Sequence, residues 1–532
     1  MTEKTYCDFM DEISADELYK GLLAYGFFAE KLPPIFTSEI FYDYCNTLST
    51  SFSDDWSEYI TFRTMRNISI PRLMGIPTPM HYQRLCAVLR DNWENIKKHF
   101  QNQTIGQGYR ISRIHIRKEY GEKRIFEMNY KNWRVDGNPE TDLLIHDKGT
   151  SRFLVKADIS TCFPSIYTHS IPWALVGKKC AKKNKDNDTW YNNIDKVCSS
   201  MRNGETHGLI IGPHASNLIS EIILTVVDKE LYNQDYRYVR NIDDYDCYVG
   251  SYEEAQRFLR DLEEALQEFD LPLNHKKTKI IELPIGIEKH WKHRLSDLPT
   301  VGGSGKVEYP QVNTFIDTSL SLATETGDFA IINYAIKKLA GLNLTDNAKR
   351  LAAKRFMHIA VLYPYLLNLM DDYVFKPYSV DQDKIKEFSD TVYQDTMRIN
   401  NYEGACYAIF YALKYNFVLC QFDSDYEKAI QDVINSKDCI TLTLTWLYFM
   451  KQNHWNRTAT QVKLLNREAM YLKNTDMDRY WLFCYEALTY GSLAGEWRAM
   501  KQAGVSFIRK DIRNGSANSD STTDCTDSES VR

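Results

Sequence analysis

Apolar residues between about Asp11 and Phe100 recur at helical spacing, first in ELYKGLLAYGFFAEKL and again in YQRLCAVLRDNWENIKKHF, so this stretch is predicted to form amphipathic helices. The segment between them, RNISIPRLMGIPTP, carries Pro71, Pro77 and Pro79 and must be extended or looped. From Tyr109 to Arg134 the pattern changes to period two on either side of Tyr120-Gly121-Glu122, which predicts a β-hairpin. A short apolar strand follows, FLVKADI at residues 153 to 159, and delivers Asp158 at its end. Residues 236 to 250, YRYVRNIDDYDCYVG, predict strand, two-residue turn, strand, with Asp243 and Asp244 at the tip. From about Asn313 onward strand signals vanish and helical patterns succeed one another, as in AKRLAAKRFMHIAVLYPYLLNLM and ITLTLTWLYFMKQ. That succession predicts an α-solenoid or an irregular helical bundle, without a strict sequence period.

Composition sets the bounds. A chain of 532 residues at 43% hydrophobic can bury large cores, and its length suits roughly three domain-sized units. Lys and Arg total 65 against 71 Asp and Glu, a formal net charge of -6, so any nucleic-acid groove must be local. The 109–134 hairpin is such a place: Arg110, Arg113, Arg117, Lys118, Lys123, Arg124, Lys131 and Arg134 outnumber Glu119, Glu122 and Glu127, with Tyr and Trp interleaved. That composition suits phosphate contact, although a charge run on its own is also what a solvated strand face looks like. Twelve cysteines lie scattered without a CxxC pair and the N-terminus lacks an apolar leader, which predicts reduced thiols and a cytoplasmic protein. No apolar run reaches the length of a membrane span. The tail NGSANSDSTTDCTDSESVR is too polar to fold and is expected to be disordered.

Three carboxylates carry the chemistry. An Asp at a strand end is commonly a cap or turn residue, and an Asp-Asp turn is common on surfaces. Together, however, Asp158 and the Asp243-Asp244 pair would bring mutually repelling charges to one end of a sheet, which calls for a cation between them. Nucleotidyl transfer needs such a cage, because two divalent ions about 3.5–4 Å apart bridge the attacking hydroxyl, the α-phosphate and the leaving pyrophosphate. Carboxylate oxygens suit Mg2+, with Mn2+ as the substitute, and neither Cys nor His stands at these positions. His290 and His293, flanking Trp291, lack further ligands and are expected to be surface or packing groups. Lys178, Lys179, Lys182, Lys183 and Lys185 are expected in an exposed loop that could meet a nucleic-acid backbone, and Trp446, Trp455, Trp481 and Trp497 in the helical core.

Residues from about Arg66 to Leu283 resemble the fingers and palm of reverse transcriptases. ADISTCF resembles motif A, with Asp158 as metal ligand and Phe163 beneath the sugar 2′ position. GLIIGPHASNLISEIIL, residues 208 to 224, resembles the motif B loop and helix, with Gly208, Gly212, Pro213 and Ser216 matching. RNIDDY resembles motif C, and LPLNHKKTKI resembles motif D, whose lysine is Lys277. Two departures stand out: Asn241 replaces the usual motif C tyrosine, and Ile210 and Ile211 stand where Pro and Gln are common.

IYTHSIPWAL, LIIGPHAS and the helical second half further resemble bacterial defence-associated reverse transcriptases of the abortive-infection type. The resemblance implies an α+β fold, a right-hand fingers and palm followed by an all-α, helical-repeat-like C-terminal domain. The expected segments are 1–100 for an N-terminal helical and fingers region, 101–310 for fingers and palm, 311–510 for the helical domain and 511–532 for the disordered tail. It also implies an RNA-directed DNA polymerase acting in phage defence. Asp158, Asp243 and Asp244 would be catalytic and metal-binding; Phe163, Gly212, Lys277, Arg113, Arg117 and Arg124 would contact nucleotide or template. Expected partners are dNTPs, an RNA template or noncoding RNA, a DNA product attached to a protein hydroxyl at an unassigned residue, and further copies of the chain. The alternatives are a catalytically silent nucleic-acid scaffold and a helical phage-sensing or assembly protein.

Overall fold

The computed structural model describes residues 5–48, 52–65, 71–113, 115–116, 126–127, 143–146, 149–285, 290–302 and 305–514. Its first strand pair adds Tyr59–Met65, within the stretch read as helical, and makes the segment expected to be extended or looped a strand. Tyr59–Met65 pairs antiparallel with Pro71–Pro77, and the first strand alternates buried and exposed positions along YITFRTM. Pro71 and Pro77 sit at the two ends of the second strand, where a missing N–H removes no interior ladder bond. The helices Pro79–Asp91 and Trp93–Thr104 then follow as expected, the former with proline in its first turn.

Of the basic hairpin, His115–Ile116 and Phe126–Glu127 pair antiparallel, in line with the period-two pattern. Arg117, Arg124 and the Tyr120-Gly121-Glu122 turn lie outside the described residues, as does the polar tail from 515 onward. Lys178–Lys183, expected as loop, is a short exposed helix.

Four antiparallel strands make the central sheet, in the order Lys279–Glu282, Phe153–Asp158, Asp244–Val249, Arg237–Asn241. The helix Tyr252–Gln267 packs against its two middle strands. Ala255, Phe258, Leu262, Ala265 and Leu266, spaced three to four apart, are its buried stripe. Ser251 begins that helix by accepting a hydrogen bond from the Glu254 N–H at 3.2 Å. The apolar helix His214–Asn233 runs alongside.

From Tyr309 to Asn514 the described elements are all helical, among them Asp346–Leu362, Gln382–Arg398, Tyr402–Tyr415 and Cys439–Gln452. Trp446 and Trp481 are buried, and Trp455 and Trp497 pack against the same core, as helical spacing predicted. The chain's end returns to its beginning. Phe507 packs on Phe27, Phe41 and Trp481, the Thr37 N–H donates to the Phe507 carbonyl at 2.9 Å, and the Arg509 N–H donates to the Ile35 carbonyl at 2.9 Å. The Tyr59–Met65 strand and the residue before it are also tied to the helical half: the Met65 N–H donates to the Glu403 carboxylate at 2.5 Å and the Glu58 N–H to Asp478 at 3.1 Å. No described helix is long and apolar enough to cross a membrane.

Candidate metal centre

Strand register puts like charges face to face. Phe153–Asp158 and Asp244–Val249 pair so that Asp158 stands directly opposite Asp244, while Asp243 occupies the turn before it. The turn residues are thus Ile242 and Asp243, with Asp244 already in the strand, a one-residue refinement of the expected Asp-Asp tip. One oxygen from each of Asp158, Asp243 and Asp244 lies within 4.8 Å of the others, the one such group of potential ligands among the described residues. Two positions along the same strand pair, Lys156 faces Asp246 and closes an ordinary ion pair at 2.8 Å. The Asp158–Asp244 rung has no such cancellation across it, and like charges directly opposite are destabilising.

The electrostatics follow. Burial pushes Asp244 up to about 7, reinforced by a hydrogen bond to the Asp158 carboxyl and by the charges of Asp243 and Asp158. Asp243 is also raised, first by burial and then by Asp158, while Lys277 and Arg72 pull it down. Asp158 itself is held by the motif D turn: Lys277 Nζ donates to one oxygen at 2.5 Å and Asn274 Nδ2 to the other at 2.7 Å. Three carboxylates against one ammonium leave a hard-oxygen cluster with surplus negative charge when ionised, which fits divalent Mg2+ or Mn2+.

Beneath the turn lies a second set of charges. Arg240, wholly buried, donates from Nε and Nη2 to Asp228 at 2.6–3.0 Å and from Nη1 and Nη2 to Glu221 at 2.7 and 3.2 Å. Tyr6 and Ser112 donate to the same Glu221 oxygen at 2.8 and 2.9 Å, and Tyr238 donates to Asp228 at 3.1 Å. Arg240 Nη1 also donates to the Ile242 carbonyl at 2.9 Å, which anchors the turn that presents Asp243. Ile242 needs an anchor, because its φ of 56° is left-handed and a β-branched residue is strained there. Sequence reasoning missed this cluster. Its signal was present: Glu221 and Asp228 stand seven apart, on one face of the otherwise apolar run SEIILTVVDKEL.

The other expected contacts distribute unevenly. Phe163 follows Asp158 on the Cys162–Ser165 turn of helix, 7% exposed, and its carbonyl accepts from the Leu209 N–H at 2.8 Å. Gly212 has φ of 135°, and a Cβ there would stand 3.0 Å from the Gly75 carbonyl, so this loop lies tight against the finger strand. The Gly75 N–H in turn donates to the Ile211 carbonyl at 2.8 Å. Arg113 is nearly buried at 4% exposed and its main-chain N–H donates to the Arg240 carbonyl, so it belongs beside the hairpin that carries Asp243 and Asp244 rather than on an outer strand face. Arg72, on the second finger strand, was not singled out from sequence, yet its charge reaches Asp243.

Comparison with known proteins agrees with this geometry. Residues 123–309, about a third of the chain, match the family described as reverse transcriptase (RNA-dependent DNA polymerase). No curated protein matches. Similar solved structures include apo telomerase from Candida tropicalis truncated from its C-terminal domain, at 15% identity over 47% of this chain and 55% of that one, TM-score 0.30. Another is telomerase from Candida albicans in complex with a TWJ fragment of telomeric RNA, at 13% identity over 76% of this chain and 65% of that one, TM-score 0.31. The chain thus spans between half and two-thirds of the length of these structures. Taken with the sheet, the carboxylate rung and the turn above Arg240, the family match identifies a reverse transcriptase domain in this chain, followed by an all-helical region.

Proposed function

We propose that the chain is an RNA-directed DNA polymerase that joins dNTPs at the Asp158, Asp243 and Asp244 centre. The observation that carries this is the cluster of three carboxylates, with a single lysine ion-paired to one of them, within a reverse transcriptase domain. When bound there, divalent cations would supply charge neutralisation of the α-phosphate and lower the pKa of the attacking hydroxyl. The chain's own residues do the rest. Asp158, Asp243 and Asp244 fix the cage; Arg240, through the Ile242 carbonyl, holds its turn. Lys277, with nearly half its side chain exposed, holds Asp158 and would offer its ammonium to the triphosphate of a bound nucleotide. Arg72 faces the same centre from the fingers side. Phe163 would close the floor under the sugar and favour dNTP over rNTP.

In this reading the enzyme works in the cytoplasm in antiviral defence by abortive infection, as an oligomer and on an RNA template or noncoding RNA. Synthesis starts from a hydroxyl of the protein, so the DNA stays covalently attached. The resemblance to abortive-infection reverse transcriptases supports this part. The test is incorporation of radiolabelled dNTPs with Mg2+, followed by denaturing electrophoresis with and without protease. Label that runs with the protein and shifts on proteolysis is expected. Free DNA unaffected by protease would refute protein priming alone, and absence of incorporation under Mg2+ and Mn2+ would refute the polymerase.

A further inference from the structure

A basic shelf beside the motif D turn is not accounted for by the metal centre. Its core is the Lys178–Lys183 helix, KKCAKK, with Lys185 just beyond. All five lysines, Lys178, Lys179, Lys182, Lys183 and Lys185, are exposed, and among the described residues none has a carboxylate partner. The arrangement works against its own helix. Lys178 and Lys182, and Lys179 and Lys183, are like charges one turn apart, and each pair disfavours the helix. Lys178 and Lys179 also sit in the first turn, where the helix dipole disfavours cations. In a chain of net charge -6, a turn and a half of uncompensated ammonium groups is a local reversal of sign.

The helix is set on an aromatic base. Lys178 Nζ lies 4.2 Å and Lys182 Nζ 5.7 Å from the centre of the Trp173 ring. Tyr167 meets Trp173 edge-on at 5.7 Å and stacks on His207 at 5.0 Å. The shelf is also tethered next to the catalytic aspartate's own turn. Lys178 Nζ donates to the Glu268 carbonyl at 3.3 Å, and a few residues on, the Pro272 carbonyl accepts from the Ser160 N–H and the Asn274 N–H donates to the Asp158 carbonyl. Exposed lysines around a partly exposed tryptophan, with further aromatic rings beside it and a polymerase centre nearby, are the composition that tracks a nucleic-acid backbone while bases stack alongside.

We propose that this shelf is a second nucleic-acid contact, holding the phosphates of a single-stranded segment outside the catalytic groove. The identity of the polyanion rests on the polymerase reading; the presence of an anion site rests on the charge and geometry alone.

The test is fluorescence anisotropy of a single-stranded rU oligonucleotide with the full chain across a salt series. The comparison is with the triple variant Lys179→Gln, Lys182→Gln, Lys183→Gln, whose exposed side chains leave the fold unaffected in a thermal melt. Counterion release of about 0.7 per phosphate for single strands predicts a salt slope lower by about 2, and binding about 100-fold weaker at 0.1 M salt. Equal affinity and equal slope in the two proteins would overturn the proposal. So would loss of binding to phosphatidylserine vesicles with oligonucleotide binding unchanged, since the shelf would then be a lipid contact. dNTP incorporation by the wild-type protein is measured separately. A protein that shows the predicted slope difference and incorporates nothing keeps the shelf and loses the polymerase reading.

Discussion

Two clusters of carboxylates sit one above the other in the palm, and they are neutralised in opposite ways. Glu221 and Asp228 are buried, and Arg240 holds both with five of its hydrogen bonds, helped by Tyr6, Ser112 and Tyr238. Asp158, Asp243 and Asp244 lie at the sheet end with Lys277 and Asn274 on one member and like charges elsewhere. The lower cluster is complete as folded and fixes a shape. The upper one is complete only with something positive added, and that difference separates a structural ion cluster from a site.

The comparison breaks most visibly through Arg240. Arg240→Met should leave Glu221 and Asp228 buried without a cation and lower stability by about 3–5 kcal/mol in a denaturant melt. Asp243→Ala with Asp244→Ala should leave metal-free stability unchanged or slightly raised, because it relieves repulsion and opens no core cavity. A larger loss from the aspartate pair than from Arg240 would reverse the assignment of the two clusters.

Glu403 offers a third case, a buried carboxylate with a main-chain donor and no salt bridge among the described residues. Burial pushes it up to about 7, against the Met65 N–H and the charge of Lys31, which lower it. Its folded value lies above its ordinary 4.5. The stability it contributes is therefore full below about pH 4.5 and is lost as pH rises to about 7, amounting to roughly 3 kcal/mol. Glu403→Gln should flatten that slope in melts run across this pH range; an unchanged slope would place the titration elsewhere.

How much of this was legible in the sequence depends on how local the signal is. Asp158, Asp243 and Asp244 were legible because apolar strands end on them, and the helical half because 3.6-residue periodicity needs no partner to be seen. The Tyr59–Met65 strand was not, and Pro71–Pro77 was legible only as extended or looped, because its pairing with Tyr59–Met65 shows only in the fold. Arg240, Asn274 and Arg72 were missed for a related reason: each acquires its role from a residue distant in sequence, Glu221 and Asp228, Asp158, and Asp243 respectively. The order of motifs was readable, whereas the buried charges that brace them were visible only once the strands were in register.

A smaller effect is expected at the turn that joins the two clusters. Ile242→Gly relieves a left-handed β-branched residue, about 1–2 kcal/mol, and adds glycine's backbone entropy, about 0.5–1 kcal/mol. Stability should therefore rise by about 0–1.5 kcal/mol in a thermal melt, while dNTP incorporation falls as the Asp243 turn loosens. A destabilised variant would mean that the Ile242 side chain, partly buried against the core, outweighs the strain.

Divalent cations should complete the upper cluster and leave the lower one unaffected. Titration of the protein with Mn2+, followed by the loss of the free-ion electron paramagnetic resonance signal, tests it directly. Saturable binding in the wild-type protein, abolished by Asp243→Asn with Asp244→Asn and retained in Glu221→Gln, is the expected result. Undiminished Mn2+ binding in the Asp243→Asn, Asp244→Asn protein would contradict the account.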